Sequence, residues 1–176
     1  MTATPTELPP AGTYDIDSSR STVTFATRHM FGLGGVNGTF AVHDGTITVP
    51  ANDDESSELQ VGLRVDAASF ETGSSRRDGH VKSKDFLNTD QHAFIEFSAS
   101  TPVKDFDGSS VDGTLRVIGN EGPVKVQVQQ FASTGEGVRV QGSSTVNRYD
   151  FGVTKMKGMA GRDLEMSVDL VARQSE

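Results

Sequence analysis

The residues best suited to chemistry crowd into one short segment. Asp78 and His80 stand two apart, with Arg76, Arg77, Lys82 and Lys84 around them and Asp85 just beyond. A carboxylate beside an imidazole suits general acid–base catalysis, or a polar clamp on the head of a ligand. The same set serves equally well as a hydrogen-bonded network that fastens a crossing segment to the rest of the fold. No recognised catalytic spacing accompanies it, so no catalytic residue is assigned. The four histidines are His29, His43, His80 and His92. None follows a His-x-x-x-His or His-x-His spacing, so neither a metal site nor a cofactor is expected.

Other short motifs lead nowhere. Asp150-Phe151-Gly152 spells a kinase magnesium motif without the catalytic or phosphate loop that must accompany it. Gly32-Leu33-Gly34-Gly35 is glycine-rich but leads into a strand pattern, whereas dinucleotide binding needs a helix there. Asn37-Gly38-Thr39 is a glycosylation sequon with no sign of secretion beside it. No Gly-x-Ser-x-Gly elbow is present. Cysteine is absent from the 176 residues, which excludes disulfides, thiolate metal sites and Cys nucleophiles.

The elements that must position Asp78 and His80 are strands. Leu59, Val61, Leu63 and Val65 alternate with polar or small residues, as do Val23, Phe25 and Thr27. Ile95, Phe97 and Ala99 alternate with Glu96, Ser98 and Ser100. Further runs follow over Val111–Val117, Val124–Val128, Val138–Val146 and Leu164–Ala172. Asp44-Gly45 and Asp107-Gly108 read as hairpin turns, and Gly119–Pro123 as a chain break. The acidic stretch Pro50–Glu58 reads as a solvated loop. Ser74–Lys84 lacks alternation, and Ser74 or Ser75 can cap a short helix there. Asp78 and Lys82, four apart, would support that helix.

About eight or nine short strands and one helical crossover leave a sandwich or a barrel. A sandwich of immunoglobulin type usually has a core Trp, and this chain has none. A barrel closes its own edges, and about eight strands enclose room for one slender ligand. The expected fold is therefore all-β with one short helical crossover. The first eleven residues read as a mobile segment, 12–173 as one domain and 174–176 as a tail.

Composition agrees with one packed domain. Apolar residues make up 34%, and the 19 glycines bring the total to about 45%. The net charge of -8 would repel a phosphate backbone, so nucleic acid is not an expected partner. No apolar run approaches the roughly 20 residues of a membrane span. The start Met1–Pro10 has neither a basic opening nor an apolar stretch, and the expected compartment is the cytoplasm.

The chain resembles the YceI-like family. Gly12-Thr13-Tyr14-Asp15-Ile16-Asp17 opens in that manner, followed by Arg28-His29-Met30 and Val36-Asn37-Gly38-Thr39-Phe40. The stretch Val65–Gly73 and then Arg77-Asp78-Gly79-His80-Val81-Lys82-Ser83-Lys84-Asp85-Phe86 resembles the central signature. Asn147-Arg148-Tyr149-Asp150-Phe151-Gly152-Val153 resembles a late Asn-Arg-x-Asp-Phe-Gly motif. The likeness runs from Gly12 to Ala172. It implies a lipocalin-like antiparallel barrel that binds a long isoprenoid, such as a polyprenyl lipid or a quinone tail, as a soluble carrier, reservoir or sequestering protein. The alternative is an enzyme acting on a lipid-like substrate through His80 with Asp78 or Asp85. A third is a barrel with a filled core that serves protein contacts; a homodimer is left open.

The ligand-lining set follows from both readings. Phe25, Phe40, Phe70, Phe86, Phe97 and Phe151 fall on or beside strands or the crossover, where they either pack the core or line a lumen. Leu63, Ile95 and Ala99 join them, Ala99 as a small residue beside which a slender chain can pass. Met30, Met156 and Met159 offer an adaptable rim. By resemblance more than by spacing, Arg28, Arg77, His80, Asn147 and Arg148 form the polar set at the mouth.

Overall fold

The computed structural model describes residues 8–29, 34–51, 57–157 and 160–175. Among them the chain forms nine strands, β1 Gly12–Ile16, β2 Thr22–His29, β3 Gly34–Val49, β4 Glu58–Glu71, β5 Phe94–Pro102, β6 Ser110–Val117, β7 Asn120–Ser133, β8 Gly137–Asn147 and β9 Asp163–Gln174. One α-helix, α1 Ser75–Lys82, crosses from β4 to β5. All strand pairs are antiparallel. The order is β1-β3-β2-β9-β8-β7-β6-β5-β4, and β4 returns to pair with β3. The sheet therefore closes on itself as a barrel.

Nine strands make eight staves because β1 and β2 occupy one position. Both lie between β3 and β9: β1 pairs with Thr46–Val49 and Ala172–Gln174, β2 with Gly34–Phe40 and Glu165–Asp169. The five residues 17–21 bulge out between them, held where Asp17 N–H donates to the Val171 carbonyl at 2.7 Å. Eight staves with inward apolar residues are the geometry in which a small lumen survives.

The expected hairpin at Asp44-Gly45 does not form. The chain runs straight through as part of β3, with Asp44 opposite Arg64 and Gly45 opposite Leu63. A register shift between Val42 and Asp44 absorbs the turn-prone residues into a bulge. The Arg64 guanidinium donates to both Asp44 carboxylate oxygens, Nε at 2.7 Å. A Cβ at Gly45 would sit 2.5 Å from the Gly62 carbonyl, so glycine here serves close packing and not reversal. The expected break over Gly119–Pro123 is much shorter. Ile118 and Gly119, at φ 45° and 77°, make a two-residue turn between the paired Val117 and Asn120. Pro123 then lies inside β7, before the β7–β8 pairing begins at Gln127, where a missing N–H is tolerated.

The helix at Ser75–Lys82 is where the lost alternation places it, and Ser74 caps it by accepting from Arg77 N–H at 3.3 Å. Of the acidic stretch, Glu58 opens β4 and residues 52–56 lie outside the described set. At the N-terminus, Leu8 packs against the core and the Tyr14 hydroxyl donates to the Pro10 carbonyl at 2.6 Å.

The interior divides into two levels. Tyr14, Ile47, Leu59, Val138 and Ala172 pack one end solid, with Ile47 and Val138 wholly buried. The other end is roofed by α1, by Phe86 and Leu87 after it, and by the long β8–β9 connection.

Candidate functional site

Between that solid floor and the α1 roof lies a cavity of about 860 Å³. Its wall is the inward parity of the strands. β2 contributes Val23, Phe25 and Thr27; β4 contributes Val61, Leu63 and Val65; β5 contributes Ile95 and Phe97. Near the roof, β4 gains residues against β3 between Asp66 and Glu71, and Ser69 Oγ accepts from Ala41 N–H at 2.7 Å. This bulge turns Phe70 inward. Phe25, Phe40 and Phe70 then pack as a triangle, with centroids 5.1–5.6 Å apart. Offset aromatic packing of this kind makes a stiff wall.

Of the side chains nominated from sequence, the cavity is lined by Phe25, Phe40, Leu63, Phe70, Arg77, His80, Phe86, Ile95, Phe97, Arg148 and Phe151. Ala99 is buried but does not reach it. It stands opposite Val61 and Gly113, and the Phe97 ring fills the space above Gly113. Asn147 does not line the cavity either. Its Oδ1 accepts from Tyr149 N–H at 3.0 Å and so caps the 3-10 turn Arg148–Phe151. Arg28 falls on β2 opposite Gly35, without a described side chain. Met30 and Met159 lie outside the described residues, whereas Met156 lines the rim at φ 56°.

The sequence reading passed over the far wall. Val111, Val117, Val126 and Val128 from β6 and β7, and Leu164, Met166, Val168 and Leu170 from β9, also line the lumen. Their signal was present, since those strands alternate, but parity alone does not say which face is inward until the barrel closes.

The crossover residues separate into two roles. Asp78 is nine-tenths buried and spends its carboxylate on Thr72, accepting from the hydroxyl at 2.6 Å and from the backbone N–H at 3.0 and 3.1 Å. It pins α1 to the end of β4. It makes no bond to Lys82 or His80. His80 is exposed, 3.5 Å from Asp85 and edge-on to Phe86 at 5.0 Å. The acid–base pair is thus divided between a tether and a rim residue.

Arg148 is the most constrained charge at the mouth. It is 8% exposed, and donates to three backbone carbonyls, Gly161 at 2.7 Å, Val153 at 2.8 Å and Ala160 at 3.3 Å. Its guanidinium stacks over Tyr149 at 4.8 Å and Phe86 at 5.5 Å. Burial pushes its pKa below the usual arginine range, yet arginine stays protonated in proteins. Among the described residues no group of three or more His, Asp or Glu is placed to hold a metal ion.

A second concavity, of about 590 Å³, lies on the outer wall among Asp15, Asp44, Arg64, Glu96, Arg116 and Glu121. Arg64 pairs with Asp44, and Arg116 stands 3.9 Å from Glu121, so this is a charged solvated face.

The family model of the YceI-like domain matches residues 14–172. A UPF0312 protein of Ectopseudomonas mendocina (strain ymp) is 30% identical over 169 residues, covering 91% of this chain and 86% of that one. Among solved structures, BcnA of Burkholderia cenocepacia superposes with a TM-score of 0.69 at 20% identity, over 88% of this chain and 98% of that one. A polyisoprenoid-binding domain from Saccharophagus degradans, implicated in plant cell wall breakdown, gives 0.67 at 14% identity, over 92% and 98%. At such identities these two likenesses speak for the fold.

Proposed function

This chain belongs to the YceI-like family, and from that premise we propose that it binds one long apolar chain, an isoprenoid or a lipid of similar shape, inside the barrel. The observation that carries the reading is the cavity of about 860 Å³ with its wall of Val, Leu, Ile, Phe and Met. Ligand pockets run from about 300 to 1,000 Å³, and this one stands near the upper end. Its driving force is desolvation. Burying a methylene yields about 0.8 kcal/mol, so each five-carbon isoprene unit offers up to about 4 kcal/mol before chain ordering is subtracted. The polyisoprenoid-binding domain of Saccharophagus degradans shares this fold, which supports the choice of isoprenoid.

The role that follows is that of a soluble carrier or reservoir, which takes up the chain, shields it from water and releases it. The test is an organic extract of purified protein read by mass spectrometry, followed by titration with isoprenoid alcohols of rising length. A stoichiometric chain lipid, or affinity that climbs with each isoprene unit until the lumen is full, supports the proposal. No extractable lipid together with no binding at any length overturns it, and leaves the barrel as a scaffold for protein contacts.

A further inference from the structure

We propose that the roof end of the barrel is a docking face for an anionic membrane surface, which it meets through outward-facing lysines and arginines and one exposed methionine. This builds on the apolar-chain reading above, because a carrier must bring its mouth to the bilayer that supplies or receives the chain.

Charge is sorted along the barrel axis. The two connections that roof the lumen hold eight of the chain's 16 Lys and Arg but four of its 24 Asp and Glu. The β4–β5 connection carries Arg76, Arg77, Lys82 and Lys84 against Asp78, Asp85 and Asp90. The β8–β9 connection carries Arg148, Lys155, Lys157 and Arg162 against Asp150. Asp78 is buried and spent on Thr72, whereas every one of these cations except Arg148 reaches solvent. The opposite end has the reverse balance. Among the described residues its β5–β6 and β7–β8 connections carry Lys104 against Asp105, Asp107 and Glu136.

Distance decides which charges a surface feels. A strand of 11 residues such as β8 rises about 3.3 Å per residue and tilts by about 40°, which sets the two ends about 28 Å apart. Screening acts over about 8 Å at physiological ionic strength. A surface touching the roof therefore meets the basic end, and the net charge of -8 does not govern the encounter. Glu71, Glu121 and Glu165 lie near this end on strands, where outward side chains stand perpendicular to the sheet and project sideways.

The β8–β9 connection also supplies an apolar element. Met156 is 44% exposed, the one large apolar side chain so exposed among the described residues, and Lys155 and Lys157 on either side of it are exposed too. A thioether between two ammonium groups suits the boundary of a bilayer, where phosphates and acyl chains lie within one side-chain length of each other. A nucleic acid backbone offers the cations a partner and the methionine none. Met156 borders both solvent and the cavity, so docking sets the rim of the lumen against the bilayer.

The experiment is flotation with vesicles of equal parts phosphatidylglycerol and phosphatidylcholine, against vesicles of phosphatidylcholine alone, with no isoprenoid present. Binding is expected to the anionic vesicles only, and to be lost at about 1 M salt, where screening shortens to about 3 Å. Lys155→Gln/Lys157→Gln is expected to weaken it about fivefold per charge removed. Lys125→Gln, on the side wall, removes a like charge and is expected to change nothing. The chain has no Trp, so Met156→Trp gives a single probe at the roof and Glu136→Trp one at the floor. Quenching by brominated acyl chains is expected for the first and not for the second. No binding to anionic vesicles, equal weakening by Lys125→Gln, or quenching at position 136 overturns the docking face and leaves the apolar-chain reading standing. Tight binding to a random-sequence DNA duplex that displaces the vesicles would assign the basic end to nucleic acid and overturn it as well. A chain that docks yet binds no isoprenoid supports the docking face and overturns the lumen reading alone.

Discussion

Removing the Asp78 carboxylate tests whether the roof of the barrel is held by one buried acid. The side chain is nine-tenths buried and accepts two Thr72 donors, the hydroxyl at 2.6 Å and the amide N–H shared between both oxygens. Hydrogen bonds to a charged group contribute about 1.5–3 kcal/mol, and a buried donor left without its acceptor costs about 1–3 kcal/mol. The two donors are adjacent and share one acceptor, so their losses do not add in full. Asp78→Ala is therefore expected to cost about 3 kcal/mol. For a chain of this size each kcal/mol shifts the melting temperature by about 2–4 °C, giving a fall of about 6–12 °C. His80→Ala is the control, because His80 is exposed and its Asp85 partner stands 3.5 Å away; a loss of no more than about 0.5 kcal/mol is expected. A cycle with Thr72→Val isolates the hydroxyl bond and should return a coupling of about 1 kcal/mol or more. Thermal melts of the four proteins of the cycle and of His80→Ala supply every term. If Asp78→Ala melts within about 2 °C of the native protein, or the cycle is additive, the carboxylate does not fasten α1 and the tether is refuted.

Two further perturbations address the lumen and the outer wall. Val168→Trp puts a large ring into the cavity from β9, opposite Gly142, and is expected to weaken long isoprenoids selectively, each displaced five-carbon unit forfeiting up to about 4 kcal/mol. Ala99→Trp, at a buried position outside the cavity lining, is expected to lower stability by about 1–3 kcal/mol and affect short and long chains alike; titration of both lengths, with melting curves, distinguishes the two sites. On the outside, Asp169 accepts from Arg139 at 2.7 and 3.0 Å, and that hydrogen bonding holds its carboxyl below the usual range of about 3.9. A lowered folded value contributes stability that is complete above the ordinary value and disappears as pH falls through the folded one. Asp169→Asn should therefore flatten part of the loss of stability below about pH 4, by at most about 1 kcal/mol because the pair is over a third exposed, and an unchanged acid-melting profile would contradict it.

Period-2 alternation exposed the strands because a barrel wall is half buried by construction, and Leu59–Val65 is the clearest case. The short helix was legible for the opposite reason, since Ser74–Lys84 has no alternation and begins with a capping serine. Asp44-Gly45 misled because turn chemistry is local, whereas the register shift that keeps it inside β3 depends on Arg64 across the sheet. The site was legible in its residue types and opaque in their division of labour. Asp78 and His80 stand together in sequence, but 100° per residue around a helix turns one toward Thr72 and the other toward the rim. Arg148 was named by likeness, yet its three carbonyl partners lie in the β8–β9 connection, a closure that no local spacing reveals.

The floor and the lumen are built from the same alphabet, so composition does not explain why one is solid and the other hollow. Side-chain placement does. On the floor, Tyr14 from β1, Ile47 from β3 and Val138 from β8 are buried in the core. Above it, short valines on β6, β7 and β9 line the open lumen. A lumen wall with so few polar groups gives water little to bond. A hydrocarbon tail recovers dispersion and releases that water.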